Sequence, residues 1–193
     1  IKSISGAYED KKIFNLSSGL IELLQTSISK RVVFITVEEE INLVKNYLYL
    51  QQIRYDNRFI TVYEVEEEVL RYRTLKMLLQ PIVENVLIHG IDIDKGNGII
   101  IIRAYINNNK LYLEVEDNGR GIAEEQIPAI LNNEHRSSKS KFSGIGIKNI
   151  KDRIALYFGE AYTIQYKSRL GYGTRVIISL PVIADESECD RYV

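Results

Sequence analysis

Two neighbouring segments with alternating apolar residues, at 99–106 and 111–117, constrain the fold of this chain more than any other feature. The second segment sets three apolar residues against three polar ones: Leu111, Leu113 and Val115 against Tyr112, Glu114 and Glu116. Since residues two apart lie on the same face of a strand, the segment has one apolar and one polar face. The asparagine-rich link at 107–110 is typical of a hairpin. We therefore predict two paired strands joined by a tight turn.

Helical spacing marks the N-terminal part of the chain. Apolar residues recur every three to four positions between 12 and 28: Ile13, Leu16, Leu20, Leu24 and Ile28. This helix packs either on a partner helix or second subunit, or on its own domain, and the pattern favours neither. Thr36 and Glu39 are spaced as a capping box. The helix that follows has one face formed by Ile41, Val44, Leu48, Gln51 and Tyr55.

Strands and helices alternate along the rest of the chain. We predict strands at 58–65, 162–168 and 173–182, and helices at 75–89 and from Gly146 to about Gly159. Gly90 ends the first of these helices, and Pro81 is expected to kink its first turn. Residues 122–143 are polar and predict a mobile loop with a short helix inside it. The charged tail from Ala184 is expected to be frayed.

Composition excludes several classes of function. The 193 residues allow one core, or one domain with an appended helical piece. A net charge of −1 gives no electrostatic case for a nucleic-acid partner. Cys189 is the only cysteine, so disulfides and cysteine-based zinc sites within the chain are excluded. The two histidines, His89 and His135, leave little for a histidine-rich metal site.

No apolar run approaches the roughly 18 residues needed to span a membrane, and no signal-peptide pattern is present. The chain begins at Ile1 and not at methionine. We expect it to be a fragment of a longer protein, in which an anchor or sensor upstream is not excluded.

The alternating strand closes with a D-x-G-x-G motif, in which Asp117 is followed by Gly119 and Gly121. A carboxylate there can accept a hydrogen bond from the amino group of adenine, while glycines allow close approach of backbone and ligand. Alone, the motif is more typical of a β-to-loop turn, in which Asp, Asn and Gly serve turn geometry. Three further motifs in the chain favour the nucleotide interpretation.

A G-x-G motif, Gly144-Ile145-Gly146, stands between the polar loop and a predicted helix. Glycines there let backbone amides face an anion, and a helix N-terminus adds a favourable dipole. A lone G-x-G is weak evidence for phosphate binding. The nearby Lys148 either reaches a phosphate or covers the helix surface, and we favour the surface role.

The segment 79–90 places Pro81, Asn85 and His89 on one stripe of a helix. The amide oxygen of Asn85 can complete an octahedral Mg²⁺ shell together with phosphate oxygens and waters, or it is a helix-surface amide. His89 either lines a ligand site or completes the helix end. The fourth motif, at 171–174, is explained by a hairpin turn, although the hydroxyl of Thr174 could support Asp117 through a water.

Taken together and in this order, the four motifs resemble the ATP-site boxes of the GHKL superfamily, which joins gyrase, the heat-shock chaperone, histidine kinases and MutL. The chain is more closely similar to the LytS-type sensor histidine kinases. That resemblance rests on L-Q-P-I-V-E-N at 79–85, on Y-L-Y-L-Q-Q-I-R-Y at 47–55, and on Asn149 and Arg153. It covers roughly residues 10–182 and is highly specific as a set.

The resemblance implies an α+β fold, a two-layer α/β sandwich of the Bergerat type with an N-terminal helical segment. Residues 1–31 would be the end of the dimerisation and phosphotransfer region, 32–183 the catalytic domain and 184–193 a flexible tail. Residues 122–143 would be a lid over ATP.

The resemblance also assigns roles to individual residues, none of them catalytic. Asn85 would ligate Mg²⁺, Asp117 would hold the adenine amino group, and Thr174 would lie behind the base. Further contacts with ATP would come from glycines of the adenine pocket and phosphate loop and from their neighbours: Gly119, Gly121, Gly144, Gly146, His89, Ile122, Ile145 and Ile147.

Three departures from the family pattern matter. Ile88 stands where the family usually has a lysine, which removes a cation from the phosphate side; Lys139, Lys141 or Lys148 could substitute for it. Pro81 stands where the ATPases of the superfamily carry a water-activating glutamate, and it cannot act as a base. Glu84 does not replace that glutamate: it adjoins Asn85 but projects about 100° away around the helix, so a direct base role is not expected.

The third departure is the acceptor histidine, which in the family lies in an H-F-x-x-N segment that this chain lacks. We therefore expect the catalytic domain of a two-component sensor histidine kinase, unable by itself to autophosphorylate. Expected partners are ATP, Mg²⁺ and a response regulator, in a homodimeric protein anchored to the membrane by other segments, with this domain in the cytoplasm. Alternatives are an anti-sigma-type serine kinase and a nucleotide-sensing interaction module without catalysis.

Overall fold

The computed structural model describes residues 32–132 and 143–192, without the side chains of 131, 132 and 143–145. The strands are β1 Phe34–Thr36, β2 Phe59–Val65, β3 Arg73–Leu75, β4 Gly98–Asn107, β5 Lys110–Asp117, β6 Thr163–Arg169 and β7 Gly173–Pro181. The helices are α1 Val37–Arg54, α2 Gln80–Asn85, α3 Ile127–Asn132, α4 Ser143–Phe158 and α5 Glu186–Cys189. The helix predicted at 12–28 and His135 lie outside the described residues.

A five-stranded mixed sheet in the order β2-β4-β5-β7-β6 forms one layer. β2 pairs with β4 in parallel, and the other neighbours are antiparallel. β1 and β3 form a separate antiparallel pair, which places the start of α1 beside the segment that leads into α2. The predicted hairpin is confirmed: Asn108 and Asn109 connect β4 and β5 with φ angles of 48° and 57°, the geometry of a type I′ turn.

The helices cover one face of the sheet and the core lies between the two layers. Buried residues come from the sheet and from three helices: Ile100, Ile102, Leu111, Leu113, Val115, Val176 and Ile178 from strands, and Val44, Leu48, Ile82, Val83, Ile147, Ile150 and Ile154 from helices. The opposite face of the sheet carries an ion-pair network in which Arg103 and Arg175 bridge Glu114 and Glu116. This arrangement confirms the α+β two-layer prediction.

The capping box before α1 is confirmed. Thr36 Oγ1 accepts a hydrogen bond from the Glu39 amide at 3.1 Å, and the Thr36 amide donates to Glu39 Oε2 at 2.7 Å. The two contacts satisfy backbone amides that a helix leaves without partners at its N-terminus.

Two predicted helix starts are wrong. The helix bearing Asn85 begins at Gln80 and not at Leu75, because Leu75 ends β3 and Met77 has a left-handed φ of 59° that no helix tolerates. Its end at Gly90 is correct, although the last five residues, Val86–Gly90, form a π turn. α4 begins at Ser143, three residues before the predicted Gly146.

The prediction of a frayed tail is wrong for residues 185–192. The Asp185 carboxylate caps α5 by accepting the Ser187 amide at 2.8 Å. Cys189 is buried, and the ring of Tyr192 meets that of Phe158 edge-on with centroids 5.1 Å apart. Apolar groups at the end of a charged segment thus hold it against the core. Among the described residues, no helix combines the length and apolar character needed to cross a bilayer.

Candidate functional site

Asp117 occupies the end of β5, on the helix-covered side of the sheet. Its side chain is only 4% exposed, and Oδ1 accepts a hydrogen bond from the Gly119 amide at 2.8 Å. Across the strand pair it lies directly opposite Thr174 of β7. A carboxyl group this deeply buried is uncommon without a cation, and none of the described ion pairs includes Asp117.

Burial raises the pKa of Asp117 to about 6 from its ordinary value of 3.8. The nearby Glu116 charge also raises this pKa, while the backbone amides of Gly119 and Thr174 lower it. The side chain is therefore ionised above about pH 6, at a cost of about 3 kcal/mol relative to a solvated carboxylate. A ligand that donates a hydrogen bond to the carboxylate would offset part of that cost.

Close backbone approach explains the glycines around Asp117. A Cβ on Gly119 would lie 2.1 Å from the carbonyl oxygen of Gly90, and one on Gly121 would lie 2.0 Å from that of Arg169. A Cβ on Gly90 would itself lie 3.3 Å from the Asp117 carboxyl group. The glycines thus let three backbone segments meet around the carboxyl group, and their contact with a ligand stays a prediction.

Ser168, which sequence reasoning missed, joins the strands behind Asp117. Its hydroxyl lies 2.8 Å from Thr174 Oγ1, donates to the Gly173 carbonyl at 2.8 Å, and accepts the Ile122 amide at 2.8 Å. Thr174 is therefore buried with its hydroxyl directed at Ser168. A serine near the end of an edge strand carries no sequence signal that distinguishes this role from a surface position.

α2 brings Asn85 to the neighbouring part of the site. Asn85 is partly buried at the last α-helical position, and its side-chain amide has no hydrogen-bond partner among the described residues. His89 lies in the π turn, where four-residue spacing no longer places it directly above Asn85. Burial, and then the Arg120 charge, lower the pKa of His89. Ile88 is 66% exposed.

α4 contacts α2 through Gly146. A Cβ on Gly146 would lie 3.2 Å from Pro81 Cβ, so this glycine permits the two helices to approach. Ile147 is buried in the core, and Lys148 is exposed with its Nζ 3.9 Å from Asp152 on the same helix. This pairing on the helix surface agrees with the surface role that the sequence favours for Lys148. The side chain of Ile145 lies outside the described part, as do residues 133–142 of the predicted lid.

Glu40, which was also missed, holds the N-terminal end of α2 from across the domain. Its side chain is 1% exposed, and its two carboxylate oxygens accept the amides of Met77, Leu78 and Leu79, each at 2.8 Å. Burial raises the pKa of Glu40, while these amides and the charge of Arg153 lower it. A signal existed: Glu40 falls on the same helix stripe as Val37 and Val44, where an apolar residue is expected.

Glu84 has a separate environment from Asn85. Its Oε1 accepts a hydrogen bond from Gln80 at 2.9 Å, and its charge contributes, after burial, to raising the pKa of Tyr47 on α1 to about 12. This location next to α1 agrees with the expectation that Glu84 projects away from the Asn85 side of α2.

The structure thus joins two of the predicted motifs, the Asn85 helix and the Asp117 loop, through the end of the π turn. The Gly90 carbonyl accepts the Arg120 amide at 2.9 Å, and the Gly171 amide donates to the Arg120 carbonyl at 2.6 Å. A buried hydrogen-bond acceptor on the sheet lies near two features of the helical layer: an amide oxygen without a partner among the described residues, and a glycine in the first turn of α4. Such a set suits a purine with a phosphate tail.

Comparison with known proteins identifies the family to which the chain belongs. Residues 72–184 match the histidine kinase-, DNA gyrase B- and HSP90-like ATPase family, and residues 1–59 match a histidine kinase family. The first match covers more than half of the chain. The chain belongs to the histidine kinase-, DNA gyrase B- and HSP90-like ATPase family.

Curated proteins to which the chain is similar include sensor kinases. The chain is 29% identical to the sensor histidine kinase YesM of Bacillus subtilis over 94% of its own length and 30% of that protein. It is 31% identical to the sensor histidine kinase YpdA of Escherichia coli over 88% of its length, and 28% of that protein. The sensor protein LytS of Bacillus cereus is 28% identical over 82% of the chain. The chain spans less than a third of these relatives.

Solved structures agree on the fold. The nucleotide-free catalytic domain of histidine kinase ThkA has a TM-score of 0.59 at 21% identity, covering 77% of this chain and 94% of that one. The histidine kinase domain of the blue-light activated histidine kinase from Erythrobacter litoralis has a TM-score of 0.54 at 15% identity, covering 92% and 76%. The resemblance to the LytS-type kinases and the expected α+β fold are therefore confirmed.

Proposed function

We propose that this domain binds ATP with Mg²⁺ and directs the γ-phosphoryl group to a histidine of the intact protein. The observation that carries the proposal is the buried carboxyl group of Asp117, set beside the helix that bears Asn85. It is supported by the family match and by relatives that are sensor histidine kinases. The acceptor would lie outside the described residues 32–132 and 143–192, because the one histidine among them, His89, stands in the π turn after α2, inside the site itself.

Asp117 would recognise adenine by accepting a hydrogen bond from its exocyclic amino group. The rigid position of the carboxylate, fixed by the Gly119 amide, would orient the base before the phosphates are engaged. Thr174 and Ser168 would support the rear of the pocket through their shared hydrogen bond. Gly144 and Gly146, with their flanking isoleucines, would give the phosphate chain access to backbone amides at the start of α4.

Asn85 fits a magnesium site because its neutral amide oxygen is the kind of ligand that Mg²⁺ accepts alongside waters and phosphates. When bound, the ion neutralises charge that develops on the transferring phosphoryl group. Pro81 offers no base to activate a water at the start of α2, and Glu84 is engaged with Gln80. The site therefore favours transfer to a protein acceptor over hydrolysis.

The remaining partners of the intact protein are part of the same proposal. We infer a homodimer in which residues 1–31 belong to the dimerisation region, and a response regulator as the final phosphate acceptor. Segments outside this chain would provide membrane attachment, with this domain on the cytoplasmic side. The matches to sensor proteins support this arrangement.

Changing Asp117 to asparagine tests the adenine contact. The expected result is a loss of at least about 100-fold in ATP affinity, because a buried charge-assisted hydrogen bond is replaced by an amide of ambiguous orientation. Glu116→Gln is the matched control: it makes the same chemical change one residue away, on the opposite face of the sheet. Isothermal titration calorimetry measures both. Equal ATP affinity in wild type and Asp117→Asn would refute the assignment.

The two alternatives predict different products. A chain extended upstream to include an H-F-x-x-N segment is incubated with γ-labelled ATP and Mg²⁺. Acid-labile phosphohistidine supports the kinase, acid-stable phosphoserine on a supplied protein partner supports the serine kinase, and binding without any transfer supports a sensing module. The match of residues 1–59 to a histidine kinase family favours the first outcome.

A further inference from the structure

Glu40 fills an anion-binding nest that the chain builds just before α2. Three successive amides, those of Met77, Leu78 and Leu79, point at one carboxylate, and Met77 adopts a left-handed φ of 59° to allow it. Leu78 and Leu79 are fully buried, so without Glu40 their amides would have no acceptor. The conformation of this turn therefore depends on a side chain contributed by α1.

A second contact grips the same turn from the opposite side. Arg153 of α4 donates from Nη2 to the carbonyl of Lys76 at 2.8 Å, and its charge faces Glu40. The residues 76–79 are thus held between an anion on α1 and a cation on α4. Gly146 of α4 meets Pro81 of α2 immediately after this turn.

We propose that Glu40, together with Arg153, is a positioning pair that sets α2 against α4 and so aligns Asn85 with the phosphate-binding start of α4. This inference rests on the proposed function. Asn85 follows Leu79 by six residues, about 9 Å along one rigid helix, so a displacement of the turn carries over to Asn85. Asp117 stands on the sheet and makes no contact with Glu40, so adenine recognition is independent of the pair.

Comparing a ligand that engages one end of the site with a ligand that engages both ends distinguishes a positioning effect on Asn85 from a general loss of stability. Calorimetry on the 193-residue chain measures adenosine, which tests the adenine end alone, and ATP with Mg²⁺, which tests both ends. Glu40→Gln leaves one acceptor oxygen and turns an NH₂ group toward a backbone amide. We expect about a tenfold or greater loss of ATP–Mg²⁺ affinity, and adenosine affinity within about twofold of wild type.

Two neighbouring glutamates provide controls. Glu38→Gln makes the same change on an exposed residue of α1 and is expected to alter neither affinity. Glu39→Ala breaks the capping box and is expected to lower the melting temperature while leaving the ratio of the two affinities unchanged. A selective effect confined to Glu40→Gln supports positioning. Equal losses for both ligands, or no loss, overturn it.

Arg153→Lys keeps the test decisive if Glu40→Gln does not fold. It retains the charge but loses the Nη2 contact to Lys76, and the same selective loss for ATP–Mg²⁺ is expected. A wild-type chain that binds no ATP–Mg²⁺ overturns the proposed function and this inference with it. A wild-type chain that binds ATP–Mg²⁺, with variants that lose both ligands alike, overturns the inference alone.

Discussion

The carbonyl oxygen of Gly90 accepts a hydrogen bond from the amide of Arg120 at 2.9 Å. This single bond ties the end of the Asn85 helix to the loop that follows Asp117. The π turn at Val86–Gly90 makes it possible, because the wider turn presents the Gly90 carbonyl to the loop while Gly119 leaves space for it. The bond thus joins the loop after Asp117 to the far end of this helix segment, away from the turn at 76–79.

The raised pKa of Asp117 predicts a pH-dependent affinity for adenosine. The ionised carboxylate is the better hydrogen-bond acceptor, so affinity should be constant above about pH 7 and fall about tenfold by pH 5, through the pKa of about 6. Adenosine is used because it lacks phosphates that titrate in this range. Calorimetry between pH 5 and 8 gives the profile.

Asp117→Asn is the control for this profile, since it retains His89 but removes the carboxyl group. It should bind weakly, with little dependence on pH. A wild-type affinity that is flat across the range would contradict the role of Asp117, and a slope shared by both proteins would point to His89.

The same raised pKa predicts how Asp117 affects stability. Between pH 3.8 and about 6 the folded chain keeps a proton that the unfolded chain has released, so this group's contribution to stability falls as pH rises. At pH 7.5, the free energy of unfolding of Asp117→Asn should be no lower than that of wild type, and up to about 3 kcal/mol higher. Urea denaturation measures the difference. A less stable variant would mean that the carboxylate has a favourable partner.

Two glycines of the β6–β7 hairpin predict contrasting costs of substitution. A Cβ on Gly173 would lie 1.9 Å from the Asp117 carbonyl oxygen at a φ of 102°, whereas one on Gly171, at a φ of 82°, meets no heavy atom within 4 Å. Gly171→Ala should cost about 1–2 kcal/mol from backbone strain alone. Gly173→Ala should cost more than about 3 kcal/mol and weaken nucleotide binding. Similar denaturation midpoints for the two variants would contradict the contact.

Replacing the exposed Ile88 with lysine should strengthen ATP binding. The substitution restores the cation that the family usually carries there, and the side chain is exposed enough to accept it without loss of packing. A solvent-exposed charge pair predicts about a two- to fivefold gain for ATP and no change for adenosine. Ile88→Gln serves as the uncharged control. A gain that also appears with glutamine, or with adenosine, would show that charge on the phosphate side is not the cause.

The elements whose signals are local were predicted from the sequence. The capping box of α1, the apolar stripe of Ile41, Val44 and Leu48, and the β4–β5 hairpin depend on residues a few positions apart, and all are confirmed. The four motifs led to the correct family because each retains its own short pattern. The roles of individual site residues stay predictions.

Elements that depend on distant contacts were not predictable in this way. Leu75 was assigned to a helix because β3 is only three residues long and exists through its pairing with β1. The left-handed Met77 is maintained by Glu40, which is 37 positions away in the chain. Ser168 gains its role only when three separate segments meet its hydroxyl. The tail was predicted to be frayed because its few apolar residues pack on Phe158 and the core, which are distant from them in the sequence.

The parallel pairing of β2 with β4 makes everything between them, including β3 and α2, one long crossover. Contacts between segments so far apart in the chain form slowly, because the connecting loop loses conformational entropy before the strand pairing stabilises the fold. Asn85 is thus carried on the connection whose docking completes the sheet. Under the proposed function, a chain caught before that step would lack the phosphate side of its site, so nucleotide would selectively stabilise the finished domain and shift newly made chains toward it.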